Sequence, residues 1–319
     1  MKVAFVGKGG SGKTTLSSLF VRYLAGRGLP VVAIDADINQ HLGEALGVTE
    51  PVPPMGAHIT EIKEYLRGTN PRIASAASMV KTTPPGRGSR LLRVGGGDEI
   101  HRRFARPAAG GALLMATGPF GEQDLGVACY HSKTGAVELY LNHLIDGPGE
   151  YVVVDMTAGA ESFASGMFTR FDLTFLVAEP TRKGVGVYQQ WTGYAADYDV
   201  AIAVLGNKVT DAADVAFLRD HVGGDLLACF GQSAAVRAMD QGRPFDLAAL
   251  DDADVAVLGR MLEAVDAREK DWAKFGRQAA EFHLKNARAW ANRAVGEDLA
   301  AQIDPGFVFG PDATVPAAT

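Results

Sequence analysis

Nine residues near the amino end, Gly7-Lys8-Gly9-Gly10-Ser11-Gly12-Lys13-Thr14-Thr15, carry the densest chemistry in the chain. They fit G-x-x-x-x-G-K-[ST] in full, the pattern of a phosphate-binding loop. Glycine lets the backbone curl until several N–H groups aim at one anion. Val3 to Val6 form an apolar run before the loop, and a helical pattern follows it. The loop is therefore expected between a strand and a helix, with the positive end of the helix dipole near Lys13. In such a loop Gly9, Gly10, Ser11, Gly12 and Thr15 build the cradle. Lys13 reaches the β- and γ-phosphates of a nucleotide, and the Thr14 hydroxyl can hold Mg²⁺.

Three more strand ends offer polar groups. Val31 to Ile34 lead into Asp35-Ala36-Asp37, and Tyr151 to Val154 lead into Asp155. Ligands of open α/β sheets bind at the carboxyl ends of strands. Asp155 would hold Mg²⁺ through water, and Gly159 would offer its N–H to a γ-phosphate, so that its loop distinguishes a triphosphate from a diphosphate. Ala201 to Gly206 lead into Asn207-Lys208. An amide carries a donor and an acceptor, as the adenine edge does. Taken alone, Asn207 reads as an ordinary turn residue at a strand end.

Lys8 narrows the reading. The run Lys8-Gly9-Gly10-Ser11-Gly12-Lys13-Thr14-Thr15 resembles the deviant Walker A loop of the MinD/ParA superfamily. The resemblance implies an ATPase in which Lys8 reaches across a nucleotide-sandwich homodimer to the partner's phosphates. It also implies that Asp37 orients the attacking water and that Asn207, with Lys208 beside it, meets the adenine edge. Without it, Lys8 is a surface lysine. Two positions depart from the family: Ile38 stands where proline is usual, and His41 where relatives have asparagine.

The segment Gly126-Val127-Ala128-Cys129-Tyr130-His131 bears on biology. Together with Asp155 to Glu161 and Ala178-Glu179-Pro180-Thr181-Arg182, it looks like the nickel-insertion ATPases of carbon monoxide dehydrogenase maturation. Those proteins carry Cys-x-Cys here, and two chains together bind one metal ion. His131 replaces the second cysteine. Two thiolates and two imidazoles from a pair of chains would suit Zn²⁺, or Ni²⁺ as a related metal, at the dimer interface. The competing reading, which we favour, is that the metal role is lost and Cys129 is a small buried residue. The resemblance spans roughly residues 1–250.

These groups need elements to position them. Strand-like runs recur at Leu113–Ala116, Leu173–Ala178 and Leu226–Phe230, with helical stretches near Val137–Leu144 and Val185–Ala196. Such alternation predicts an α/β fold, a mostly parallel central sheet flanked by helices on both faces. We divide the chain into a P-loop ATPase domain over 1–250, a helical C-terminal extension over 251–304 and a poorly ordered tail over 305–319. From Pro51 to about Ala109 the sequence is rich in Pro, Gly, Ser and Arg, with a short helical candidate at Ile59–Leu66. That stretch is either a surface insertion or a lobe facing a partner. Trp272, Phe275, Ala279, Phe282 and Trp290 recur at roughly helical spacing among basic residues. Such a stripe docks on its own domain more often than on a membrane.

The 319 residues are 47% hydrophobic and 21% charged, with a formal net charge of −6, an ordinary globular balance that argues against a general nucleic-acid binder. Two cysteines suit a reducing compartment rather than a disulfide scaffold. No apolar run approaches the length needed to cross a bilayer. We therefore expect a cytoplasmic protein that binds neither nucleic acid nor membrane. Its expected work is as a maturation or delivery factor for a metalloenzyme or other client protein, switched by ATP and Mg²⁺. The alternatives are a positioning ATPase on DNA or membrane and, further off, a reductase like the nitrogenase iron protein.

Overall fold

In the computed structural model, residues 1–120, 130–159, 163 and 165–314 are described. Cys129 lies outside them, as does the side chain of His131.

The strands are β1 (Lys2–Gly7), β2 (Val31–Ala36), β3 (Leu92–Arg93), β4 (Arg106–Pro107), β5 (Leu113–Ala116), β6 (Leu144–Ile145), β7 (Tyr151–Met156), β8 (Leu173–Ala178), β9 (Ile202–Val209) and β10 (Leu226–Gly231). Eight of them form one sheet in the order β10-β9-β8-β1-β7-β2-β5-β4. Every pairing in it is parallel except the last, where β4 runs antiparallel beside β5. β3 and β6 form a separate short pair. Because β1 lies between β7 and β8, the carboxyl ends of all three meet around the loop that leaves β1.

The helices are α1 (Lys13–Gly26), α2 (Leu42–Ala45), α3 (Ile59–Arg67), α4 (Glu99–Phe104), α5 (Tyr130–His143), α6 (Arg182–Ala195), α7 (Ala212–Val222), α8 (Ala234–Asp240), α9 (Asp252–Asp266), α10 (Trp272–Asn286) and α11 (Asn292–Val295). Both sheet faces are covered. Ala4, Val6, Ile34 and Val154 point into one core with Ile62, Tyr140 and Trp191. Their alternates Val3, Phe5, Ala33 and Val153 point into the other with Leu19, Phe20 and Met261. The period of two along each strand fixes this division. On the second face Phe5, Phe20 and Phe175 stack at centroid distances of 5.2 to 6.1 Å. Burying each ring stabilises the fold by about 2–3 kcal/mol. This cluster fixes α1 against β1, and so fixes the loop between them.

Residues 51–109 are a packed lobe rather than a loose insertion. Met55, Ile62, Leu66, Met79, Leu92 and Phe104 are all buried. The arginines of this lobe are held within the chain. Arg87 forms a two-point pair with Asp304 at 2.7 and 2.9 Å, Arg103 meets Glu61 at 2.5 Å, Arg93 donates to the Pro311 carbonyl, and Arg90 lies over the Tyr65 ring.

The basic helical stripe docks on the body. Phe275 and Ala279 of α10 are buried, and Phe282 packs edge-on against Phe168. Lys270, one of the basic residues beside this stripe, enters a buried ion cluster: its Nζ lies 2.5 Å from Asp146 and 2.7 Å from Asp172, and Lys2 reaches Asp146 at 3.0 Å. Lys2, Lys270 and the Met1 ammonium, 2.8 Å away, hold the Asp146 carboxyl well below the usual range, against the opposing effect of burial. Of the expected tail, residues 305–314 rest on this region, with Phe309 edge-on to Trp272 at 5.1 Å.

Candidate functional site

The carboxyl ends of β1, β2, β7, β9 and β10 surround a cleft of about 710 Å³. Its floor is the predicted loop. Gly9, Gly10, Gly12, Lys13, Thr14 and Thr15 line it, and Lys13 is only 6% exposed. Gly12 adopts φ 96°, a left-handed conformation that costs a side-chain-bearing residue about 1–2 kcal/mol. A Cβ there would stand 2.1 Å from Asn207 Nδ2. At the first turn of α1 the leading N–H groups have no acceptor within the helix and face the cleft as a cradle for an anion.

The aspartates at the ends of β2 and β7 divide into a buried pair, Asp35 and Asp155, and a rim residue, Asp37. Thr14 Oγ1 donates to Asp155 Oδ2 at 2.5 Å, while Asp155 Oδ1 is buried with no partner. Burial, with the charge of Asp35 adding to it, pushes the Asp155 carboxyl up to about 8. Asp35 is also raised by burial, to about 7, against the backbone N–H groups of Leu42 and Asp37 that it accepts at 2.8 and 3.2 Å. An unpartnered carboxylate oxygen beside a threonine hydroxyl is a donor set that a hard divalent cation fits. Among the described residues no three His, Cys, Asp or Glu side chains converge as a further metal site.

Asp37 lines the cleft, with its Oδ1 accepting the Asn39 N–H at 3.0 Å. Ile38, in the place of the family's proline, is 40% exposed. Gln40 ties this loop together. Its amide donates to the Asp37 carbonyl at 2.5 Å, and its oxygen accepts from the Gly118 N–H at 3.2 Å.

Asn207 and Lys208 line the opposite side, on β9. Asn207 Nδ2 donates to the Ser11 carbonyl at 2.7 Å, and Lys208 Nζ donates to the Gly10 carbonyl at 2.7 Å and to Glu179 at 2.6 Å. Four expected residues stand back from the cleft lining: Ser11 and Asp155, which are buried, and Lys8 and Gly159, which are half-buried. The Lys8 side chain has no hydrogen-bond or ion-pair partner among the described residues. The sequence reading missed the wall built by β10 and α8, where Phe230, Ser233, Val236, Arg237 and Asp240 enclose the cleft. Asp240 accepts from Thr15 Oγ1 at 3.2 Å. The available signal was positional: Leu226–Phe230 read as a strand, and the loop after a parallel strand is where ligands bind.

A phosphate-binding loop between β1 and α1, with an aspartate at the end of β7 beside its threonine, defines a P-loop nucleotide-binding protein of α/β class. The chain belongs to the CobQ/CobB/MinD/ParA nucleotide-binding domain family, whose model matches residues 3–306. It is similar to the carbon monoxide dehydrogenase accessory protein CooC of Rhodospirillum rubrum, with 32% identity over 271 residues, spanning 83% of this chain and 97% of that protein. An uncharacterized ATP-binding protein of Methanocaldococcus jannaschii is 29% identical over 227 residues, spanning 71% of this chain and 81% of its own length. Among solved structures, the MinC:MinD cell division protein complex of Aquifex aeolicus aligns with a TM-score of 0.57 at 18% identity, covering 85% of this chain and 97% of that one, a likeness of fold. The MinD/ParA resemblance read from Lys8 and the strand ends is borne out, and the family match extends past residue 250 into the C-terminal helices. No helix among the described residues is long and apolar enough to cross a membrane.

Proposed function

We propose that this chain binds Mg-ATP in the cleft, hydrolyses it slowly, and closes with ATP into a homodimer that serves as a maturation or delivery factor for a metalloenzyme or other client protein. The Thr14–Asp155 pair carries the ATPase reading. It sets a hydroxyl and a half-satisfied buried carboxylate beside the loop that would hold the β- and γ-phosphates. A Mg²⁺ ion held there would neutralise phosphate charge. Lys13 would supply charge-assisted hydrogen bonds to the phosphates. Asp37, at the rim, would orient the attacking water. The Lys8 side chain has no hydrogen-bond or ion-pair partner among the described residues, and it would meet the phosphates of a second copy. The accessory role rests on the similarity to CooC over nearly the whole of that protein.

Titration calorimetry with Mg-ATP tests the reading. A hydrogen bond to a charged group contributes about 1.5–3 kcal/mol, so Lys13→Ala should weaken binding roughly 10- to 150-fold. Wild-type protein that gives no binding heat in Mg²⁺ buffer would end the proposal.

A further inference from the structure

The two residues that leave β9 do something that base recognition does not require: they grip the phosphate-binding loop from outside. Asn207 Nδ2 holds the Ser11 carbonyl and Lys208 Nζ holds the Gly10 carbonyl, each at 2.7 Å. In a trans peptide the C=O and the following N–H point in opposite directions. Holding the Ser11 carbonyl from the β9 side therefore turns the Gly12 N–H away from β9. Holding the Gly10 carbonyl likewise directs the Ser11 N–H, which donates to the Lys8 carbonyl at 3.1 Å and closes the turn of the loop. Two adjacent side chains thus fix two consecutive peptide planes.

Lys208 is itself steered. Its Nζ lies 2.6 Å from Glu179 Oε1, at the exit of β8. The Glu179 backbone is held closely by the turn into α6, since a Cβ on Gly184 would meet the Glu179 carbonyl at 2.3 Å. Lys208 also sits at φ 60°, a conformation that a residue with a side chain keeps only where its surroundings determine it. An exposed lysine–glutamate pair alone contributes little. Here the same ammonium group makes a second bond, to a backbone carbonyl of the loop.

We propose that Lys208, oriented by Glu179, is a positioning residue that holds the phosphate-binding loop in its anion-ready shape before nucleotide arrives. The proposal rests on the nucleotide-site reading above but concerns the empty loop, so it can fail separately. The β8 and β9 ends together form a brace, and Asn207 serves in it as well as facing the cleft.

Hydrogen exchange of the full chain without nucleotide, followed in peptides covering residues 7–15, tests the brace directly. The variants are Lys208→Met, Glu179→Ala and the double substitution. Both single variants should speed exchange at Ser11, by roughly tenfold for Lys208→Met and by less for Glu179→Ala. Peptides from α9 should be unchanged, which excludes a general loss of stability. The affinity for Mg-ADP should fall in the same order, and the double variant should be no weaker than Lys208→Met alone, because Glu179 acts through Lys208. Unchanged exchange in both single variants would overturn the brace. So would lost affinity in Lys208→Met with Glu179→Ala unaffected, which would mean that Lys208 touches nucleotide itself. Wild-type protein that ignores Mg-ADP while its loop still responds to the substitutions would remove the nucleotide reading and leave the brace.

Discussion

Three glycines of the loop should respond to alanine in an order set by local geometry. At Gly12, alanine must hold φ 96°, costing about 1–2 kcal/mol. Its Cβ would also stand 2.1 Å from Asn207 Nδ2, so Asn207 has to leave the Ser11 carbonyl. Losing that hydrogen bond costs about 1 kcal/mol more. The empty loop can relax, so most of this cost returns when nucleotide requires the native shape. Mg-ADP affinity should therefore fall roughly 30- to 150-fold, at 1.4 kcal/mol per factor of ten. Gly10 has φ 80° and open space around its Cβ position, leaving only the conformational term and a loss of roughly 5- to 30-fold. At Gly9 the nearest atom to a Cβ is Ala158 Cβ at 3.9 Å, an ordinary contact, and affinity should stay within about twofold. Calorimetry with Mg-ADP on the three variants reads the order without requiring a dimer. Gly12→Ala binding like wild type, or Gly9→Ala failing as badly as Gly12→Ala, would refute the reasoning.

Two further outcomes are expected. His143 is fully buried, with Nδ1 on the Leu139 carbonyl and Nε2 unpartnered, and burial lowers its pKa to about 4. Because the folded value lies below the unfolded one, its contribution is complete above about pH 6.5 and is lost as pH falls toward 4. The loss is about 3 kcal/mol, so His143→Leu should flatten denaturation midpoints measured across that window, and an unchanged acid slope would count against it. Any transition metal that the protein retains with a non-hydrolysable ATP analogue should disappear in Cys129→Ala, since Cys129 and His131 from each of two chains would together complete a tetrahedral site; equal metal content in both proteins would reject this position.

Much of the site was legible because its chemistry is local. The loop motif, Asp37, Asp155 and Asn207 each sit at the end of an apolar run, and parallel strands bring such ends together wherever they lie in sequence. The wall from α8 was not legible, because Val236, Arg237 and Asp240 form no pattern tied to phosphate and face the cleft only through the placement of β10. The lobe at 51–109 was hard to read for another reason. The helical candidate at Ile59–Leu66 was legible, but Met55, Met79 and Leu92 are core residues spread among Pro and Gly outside any helical or strand period, so periodicity gave no sign that they were buried. Lys270 showed the same limit from the opposite side: a basic residue beside a helical stripe reads as surface, and its partners Asp146 and Asp172 are brought to it only by the fold.

The proposed switch is tested most directly by the mass of Asp37→Ala protein under light scattering, since removing the group that would orient water should trap bound ATP. With Mg-ATP the particle should weigh twice the 33.6 kDa of one chain, and with Mg-ADP it should return to the single mass. Adding Lys8→Ala should keep the protein monomeric with ATP bound. A monomer with Mg-ATP, or a Lys8→Ala protein that pairs equally well, would contradict the switch.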